Sequence, residues 1–126
     1  MRIGERSRSA LSLALIVAVV FGGVQWLQWR DRAEQGRVLR ELARPGDLLM
    51  LSSNTCVYCT RARVWLKAQQ VPHRECFIET DAVCRAEYQA RGAAGTPTLV
   101  VRGQTQLGFD PQRVARALSP PAAGPG

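Results

Sequence analysis

The stretch ALSLALIVAVVFGGVQWL, Ala10 to Leu27, constrains this chain most. As a helix it would be about 27 Å long, close to the ~30 Å hydrocarbon thickness of a bilayer. Arg2, Arg6 and Arg8 precede it, and Trp26 and Trp29 stand where interfacial aromatics belong. A cleaved signal peptide is the rival reading, but Phe21-Gly22-Gly23 makes a poor small-x-small cleavage site. The expectation is an uncleaved membrane anchor. Too little chain remains to bury such a helix in a core: everything globular must fit between Gly46 and Leu118.

The division expected is a basic N-terminal tail over 1–9, a transmembrane anchor over 10–28, a juxtamembrane helical stalk over 29–45, a compact domain over 46–118 and a disordered tail over 119–126. Val38, Leu39 and Leu42 give the stalk a helical spacing that Pro45-Gly46 ends and Gly36 weakens. It either extends the membrane helix or packs on the domain. The tail SPPAAGPG is too rich in proline and glycine to fold. Five arginines follow the span, so charge alone does not send the C-terminal side outward. Long domains, however, translocate largely regardless of charge, and a short basic leader is the usual export pattern. We expect a single-pass protein of the bacterial inner membrane with its domain outside the cytoplasm.

The 126 residues carry a net charge of +7, almost all of it from scattered arginines, with Lys67 the only lysine. Scattered charge without interleaved aromatics does not point to nucleic acid. Of the four cysteines, Cys56 and Cys59 form a CxxC, whereas Cys76 and Cys84 lie further apart. The second close pair of a CxxC…CxxC zinc site is absent, and the lone His73 reads as a turn residue, so no zinc site is expected and no metal ligand is assigned.

Within 46–118 the pattern reads β-α-β-α-β-β-α. Leu48–Leu51 is a buried-type strand. Cys56–Gln70 is a helix, with Asn54 or Thr55 as cap, Val57 or Thr60, Val64 and Ala68 on one face and Trp65 beside it. His73–Ile78 is a second strand, and Thr80-Asp81 caps a helix reaching about Arg91. Thr98–Arg102 and Gln104–Leu107 form a hairpin, and Asp110-Pro111 opens a last helix. The first two strands, joined by a crossover, should be parallel.

A CxxC opening a helix suits thiol chemistry. Unpaired helix N–H groups and the macrodipole favour a thiolate on the first cysteine. Cys56 is then the nucleophile, and Cys59, one turn inward, resolves the mixed disulfide. Thr96-Pro97, just before the third strand, is where a cis-proline could bring backbone near the sulfurs. Two other uses stay open: an iron–sulfur or soft-metal module held by the CxxC between two chains, or a tethered interaction protein with structural cysteines.

Cys56-Val57-Tyr58-Cys59, Arg61-Ala62, Gly95-Thr96-Pro97-Thr98 and Gly108-Phe109-Asp110-Pro111 together resemble the glutaredoxin branch of the thioredoxin-fold proteins, over residues 47–118. The resemblance implies an α/β thioredoxin-like domain with a four-stranded mixed sheet behind one transmembrane helix. It also implies a thiol–disulfide oxidoreductase that requires no cofactor, with glutathione as a candidate thiol co-substrate. Cys56 and Cys59 would be catalytic, and Tyr58, Thr96, Pro97 and Asp110 substrate-binding. Asp110 also reads as a plain N-cap. Partners would be protein or small-molecule thiols and disulfides, a redox partner protein and, through 10–28, the membrane. Two departures stand out: Ser52-Ser53-Asn54-Thr55 lacks the lysine many glutaredoxins use for glutathione, and Gly108-Phe109-Asp110-Pro111 looks more like redoxins that use thioredoxin reductase. Cys76 and Cys84 are a candidate structural disulfide. It would contribute about 2–3 kcal/mol in the chain-entropy model if the domain is exported.

Overall fold

The structure is a computed structural model in which residues 3–120 are described. It divides into two units, residues 1–34 and 35–126.

The first unit is helical. Helix α1 (Ile3–Leu42) begins inside the stretch expected as a tail and runs through the apolar segment. Its most apolar window has a mean hydropathy of 2.2, none of it buried. Leu11, Leu15, Val19 and Phe21 are all exposed, which marks one candidate membrane span. Arg30 lies over the Trp26 ring, 4.8 Å from its centroid. Residues 121–126, most of the expected disordered tail, lie outside the described residues, while Ser119 serves as the last helix's C-cap.

The second unit starts earlier than the expected boundary at 46. The last turns of α1 belong to it: Leu39 is fully buried and Ala43 nearly so, both in the main core. A Cβ at Gly36 would meet the flexible end of the Gln69 side chain, which would have to move aside. Part of the expected stalk is therefore core.

The strands are β1 (Leu48–Ser52), β2 (Arg74–Phe77), β3 (Thr98–Val101) and β4 (Gln104–Leu107). The helices among them are α2 (Val57–Ala68), α3 (Ala82–Ala90) and α4 (Pro111–Leu118). The sheet order is β2-β1-β3-β4. β1 and β2 are parallel, and the other two pairings antiparallel.

Strand alternation sorts the core into two layers. Leu48 and Met50 of β1 and Leu99 and Val101 of β3 face the thick layer, with Leu39, Ala62, Leu66, Val114 and Leu118. Leu51 and Val100 face the thin layer, covered by α3 through Cys84, with Cys76, Ile78 and Tyr88 at its margin. Cys76 of β2 and Cys84 of α3 are joined by a disulfide, Cα–Cα 6.0 Å. Asp81 caps α3 by accepting from the Val83 and Cys84 amides. Arg102, at φ +47°, closes the opposite end of the domain. Its guanidinium donates to Leu118 O (2.6 Å), Leu42 O (3.3 Å) and Asp47 Oδ2 (3.1 Å), tying the ends of α1 and α4 together. That contact holds the Asp47 carboxyl below its usual range, with help from the Arg44 amide.

The face expected for α2 is corrected. Cys59, Ala62 and Leu66 are its buried residues, whereas Val57 and Val64 are exposed. A helix with apolar residues on two sides leaves the choice to the sheet, and small Cys59 and Ala62 permit close approach.

Candidate active site

The strand register gathers the predicted site residues at one end of the sheet. Leu51 is opposite Thr98, Ser52 opposite Phe77, and Thr98 opposite Leu107. The loop to Cys56, the segment after β2, the Thr96–Pro97 peptide and the turn before Asp110 therefore all leave from that end.

Cys56 is the N-cap of α2, a correction to the expected Asn54 or Thr55. Its backbone is extended (φ −95°, ψ 108°), and its Sγ accepts from the Cys59 amide at 3.1 Å. A sulfur thus does the work usually given to a hydroxyl or carboxylate at this position. Cys56 is half-buried; Cys59, one turn in, is fully buried. The two form a disulfide, Cα–Cα 5.2 Å. Between them Val57 and Tyr58 are exposed, and Arg61 approaches the Tyr58 ring at 5.9 Å.

The Thr96–Pro97 peptide is cis. Pro97 is fully buried, its carbonyl accepts from the Gly108 amide (2.7 Å), and Thr98 Oγ1 donates to Gly95 O (2.6 Å). Asp110 caps α4 through the Gln112 amide (2.9 Å) and lies 3.7 Å from Arg113. Its carboxylate is thus engaged within its own helix.

Two glutamates at this end were not singled out from the sequence, since their partners are remote in the chain. Glu79 follows β2 and clasps the loop before Cys56: Ser53 Oγ donates to its carboxylate in a short hydrogen bond, and the Asn54 amide reaches both oxygens (3.3 and 3.2 Å). The Ser53 contact holds the Glu79 carboxyl below its ordinary range. Glu75 on β2 forms a two-pronged pair with Arg63 of α2 (2.6 and 2.9 Å) and accepts from buried Ser52 (2.6 Å). Burial pushes its carboxyl up, but Arg63 and Ser52 outweigh this and hold it low; the same pair raises Arg63. No group of three or more metal-ligating side chains occurs among the described residues.

Residues 48–105 match the glutaredoxin family. This is a glutaredoxin-like domain of the thioredoxin fold. The thioredoxin-like protein BC3987 is similar in structure to this domain. A point mutant of BC3987 is 23% identical, with a TM-score of 0.53 over 58% of this chain and 95% of that one. The unmutated protein is 22% identical, with a TM-score of 0.50 over 56% and 97%. A glutaredoxin from Archaeoglobus fulgidus is 20% identical over 57% and 85%, with a TM-score of 0.47. No curated protein matches the chain significantly. A glutaredoxin-like domain with its CxxC at a helix start has the parts for thiol–disulfide exchange.

Proposed function

We propose that this protein is a membrane-anchored thiol–disulfide oxidoreductase acting on protein or small-molecule disulfides. The observation that carries the reading is the position of Cys56: N-cap of α2, sulfur on the Cys59 amide, disulfide partner buried behind it. In the reducing direction the Cys56 thiolate attacks one sulfur of a substrate disulfide, and the other leaves as a thiolate that takes up a proton. Cys59 then gives up its proton and attacks Cys56 Sγ, releasing the second substrate thiol. The protein ends as the Cys56–Cys59 disulfide, and two electrons have passed to the substrate. In the oxidising direction the steps reverse, and a substrate thiolate opens the protein disulfide at Cys56. Helix N–H groups stabilise the negative charge on Cys56 whichever way the step runs.

Tyr58, Thr96 and Pro97 form the substrate groove in this reading, with the Thr96 backbone pairing with an extended peptide or glutathione. Asp110 serves as helix cap first, and glutathione's amino group is the ligand it would take. The helix through 10–28 is the anchor, and the domain works outside the cytoplasm, where a Cys76–Cys84 disulfide persists. A redox partner protein in the membrane supplies or removes electrons.

The test is exchange by the detergent-solubilised full chain. Cys56→Ser should lower the rate with a disulfide substrate at least about 100-fold. An unchanged rate would reject the mechanism. Labelling of an introduced surface cysteine in intact cells would establish the side of the membrane.

A further inference from the structure

Glu79 holds the loop that presents Cys56, yet its charge is not balanced. Its hydrogen-bond donors are the Ser53 hydroxyl and the Asn54 amide, both neutral. Among the described residues no arginine or lysine stands within ion-pair distance of it. By contrast Glu41, Asp47, Glu75, Glu87 and Asp110 each have an arginine. The link to the nucleophile is short: Glu79 binds Ser53, and the Cys56 amide donates to Ser53 O at 3.3 Å. On α2, Arg63 is already committed to Glu75 and Arg61 lies by the Tyr58 ring. Arg85 of α3 spends its Nε on the Ile78 carbonyl. A negative charge therefore stands beside the Ser53-Asn54 loop that leads to Cys56, the loop in which a lysine would favour an anionic thiol.

We infer that Glu79 is a specificity-determining and positioning residue that disfavours anionic thiols and disulfides, glutathione included, and favours neutral or cationic ones. This rests on Cys56 as the reacting cysteine. A like charge near an incoming thiolate or disulfide raises the energy of the encounter and of the transition state alike, and salt screens it.

The test uses the oxidised full chain in neutral detergent and three small thiols: glutathione (net negative), 2-mercaptoethanol (neutral) and cysteamine (positive). In each case one thiolate attacks Cys56 Sγ and expels Cys59. A second thiol then displaces Cys56 and yields the small-molecule disulfide, so two thiols supply two electrons. Rates are read by acid quench, alkylation and mass. Taking each thiol's ratio of Glu79→Gln to unmodified protein cancels its intrinsic reactivity. The expected result is an increase of about threefold for glutathione, no change for 2-mercaptoethanol and a decrease of about threefold for cysteamine, shrinking as salt rises. A common factor for all three, or no change, overturns the inference. Ser53→Ala keeps the charge and should not alter the order of the three ratios; a shift as large as that of Glu79→Gln also overturns it. If Glu79→Gln does not fold, a salt titration of the unmodified protein decides. The glutathione rate must rise relative to cysteamine, and a flat or opposite trend refutes the claim. Loss of all three reactions in Cys56→Ser leaves the proposed function standing whatever Glu79 does.

Discussion

The sulfur of Cys56 accepts the backbone N–H of Cys59 while being bonded to the Cys59 sulfur. The same residue is thus bound both through its partner's main chain and through its side chain. In the disulfide form Cys56 has its sulfur on a helix N–H group and is half-buried, while Cys59 is fully buried, and the opened pair should keep that difference. The two thiols should differ sharply. Brief iodoacetamide treatment of the reduced protein at pH 7 should label Cys56 about tenfold or more faster than Cys59. Equal labelling would contradict this asymmetry.

The Arg63–Glu75–Ser52 cluster joins α2, which carries Cys59, to β2 and β1. Glu75→Gln leaves the half-buried Arg63 guanidinium without its counter-charge and should cost about 1–3 kcal/mol in urea unfolding. The pH sign follows from its lowered carboxyl. A group with a depressed folded pKa contributes fully above its unfolded value, near 4.5, and loses that contribution as pH falls through the folded value. Unmodified protein should therefore lose more stability than Glu75→Gln on acidification below about pH 4.5. Parallel curves would remove the pair from the account.

Leu39 tests whether the end of α1 is core. It is fully buried among Leu48, Leu66 and Leu118 in the main cluster. Leu39→Ala should cost about 2–5 kcal/mol, as a cavity in a close-packed interior does. A cost below about 0.5 kcal/mol, usual at the surface, would mean that the domain does not need this turn.

The thin layer depends on the second disulfide. Cys76–Cys84 closes a separation of 8 residues and pins α3 over Leu51 and Val100. Replacing both cysteines with alanine should lower stability by about 2–3 kcal/mol while leaving exchange at Cys56 within about twofold. Loss of exchange in a folded double variant would give this pair a part in the chemistry.

How much of this was legible depended on the range of each interaction. Asp81 and Asp110 were readable because a cap bonds amides two or three residues away. The parallel β1–β2 pair followed from the crossover and the β3–β4 pair from the hairpin, but the β1–β3 pairing that completes the order lay outside what spacing shows. Cys56 as its own cap was missed, because a sulfur acceptor is not a usual capping signal. The buried face of α2 was misread because Val57 and Val64 compete with Cys59, Ala62 and Leu66, and only packing against the sheet decides. The helical spacing of Val38, Leu39 and Leu42 left open whether this segment packs on the domain, and neither that choice nor the Glu79 clasp could be read locally, because Leu39 and Glu79 meet partners far along the chain.

The central claim is that Cys56 attacks and Cys59 resolves. The most direct measurement is trapping. Reduced Cys59→Ser and Cys56→Ser, full chain in detergent, are mixed with a disulfide-bonded protein substrate and analysed by non-reducing mass spectrometry. The account predicts a stable mixed disulfide through Cys56 in Cys59→Ser and little or none in Cys56→Ser. Equal trapping in both variants, or trapping only through Cys59, would contradict it.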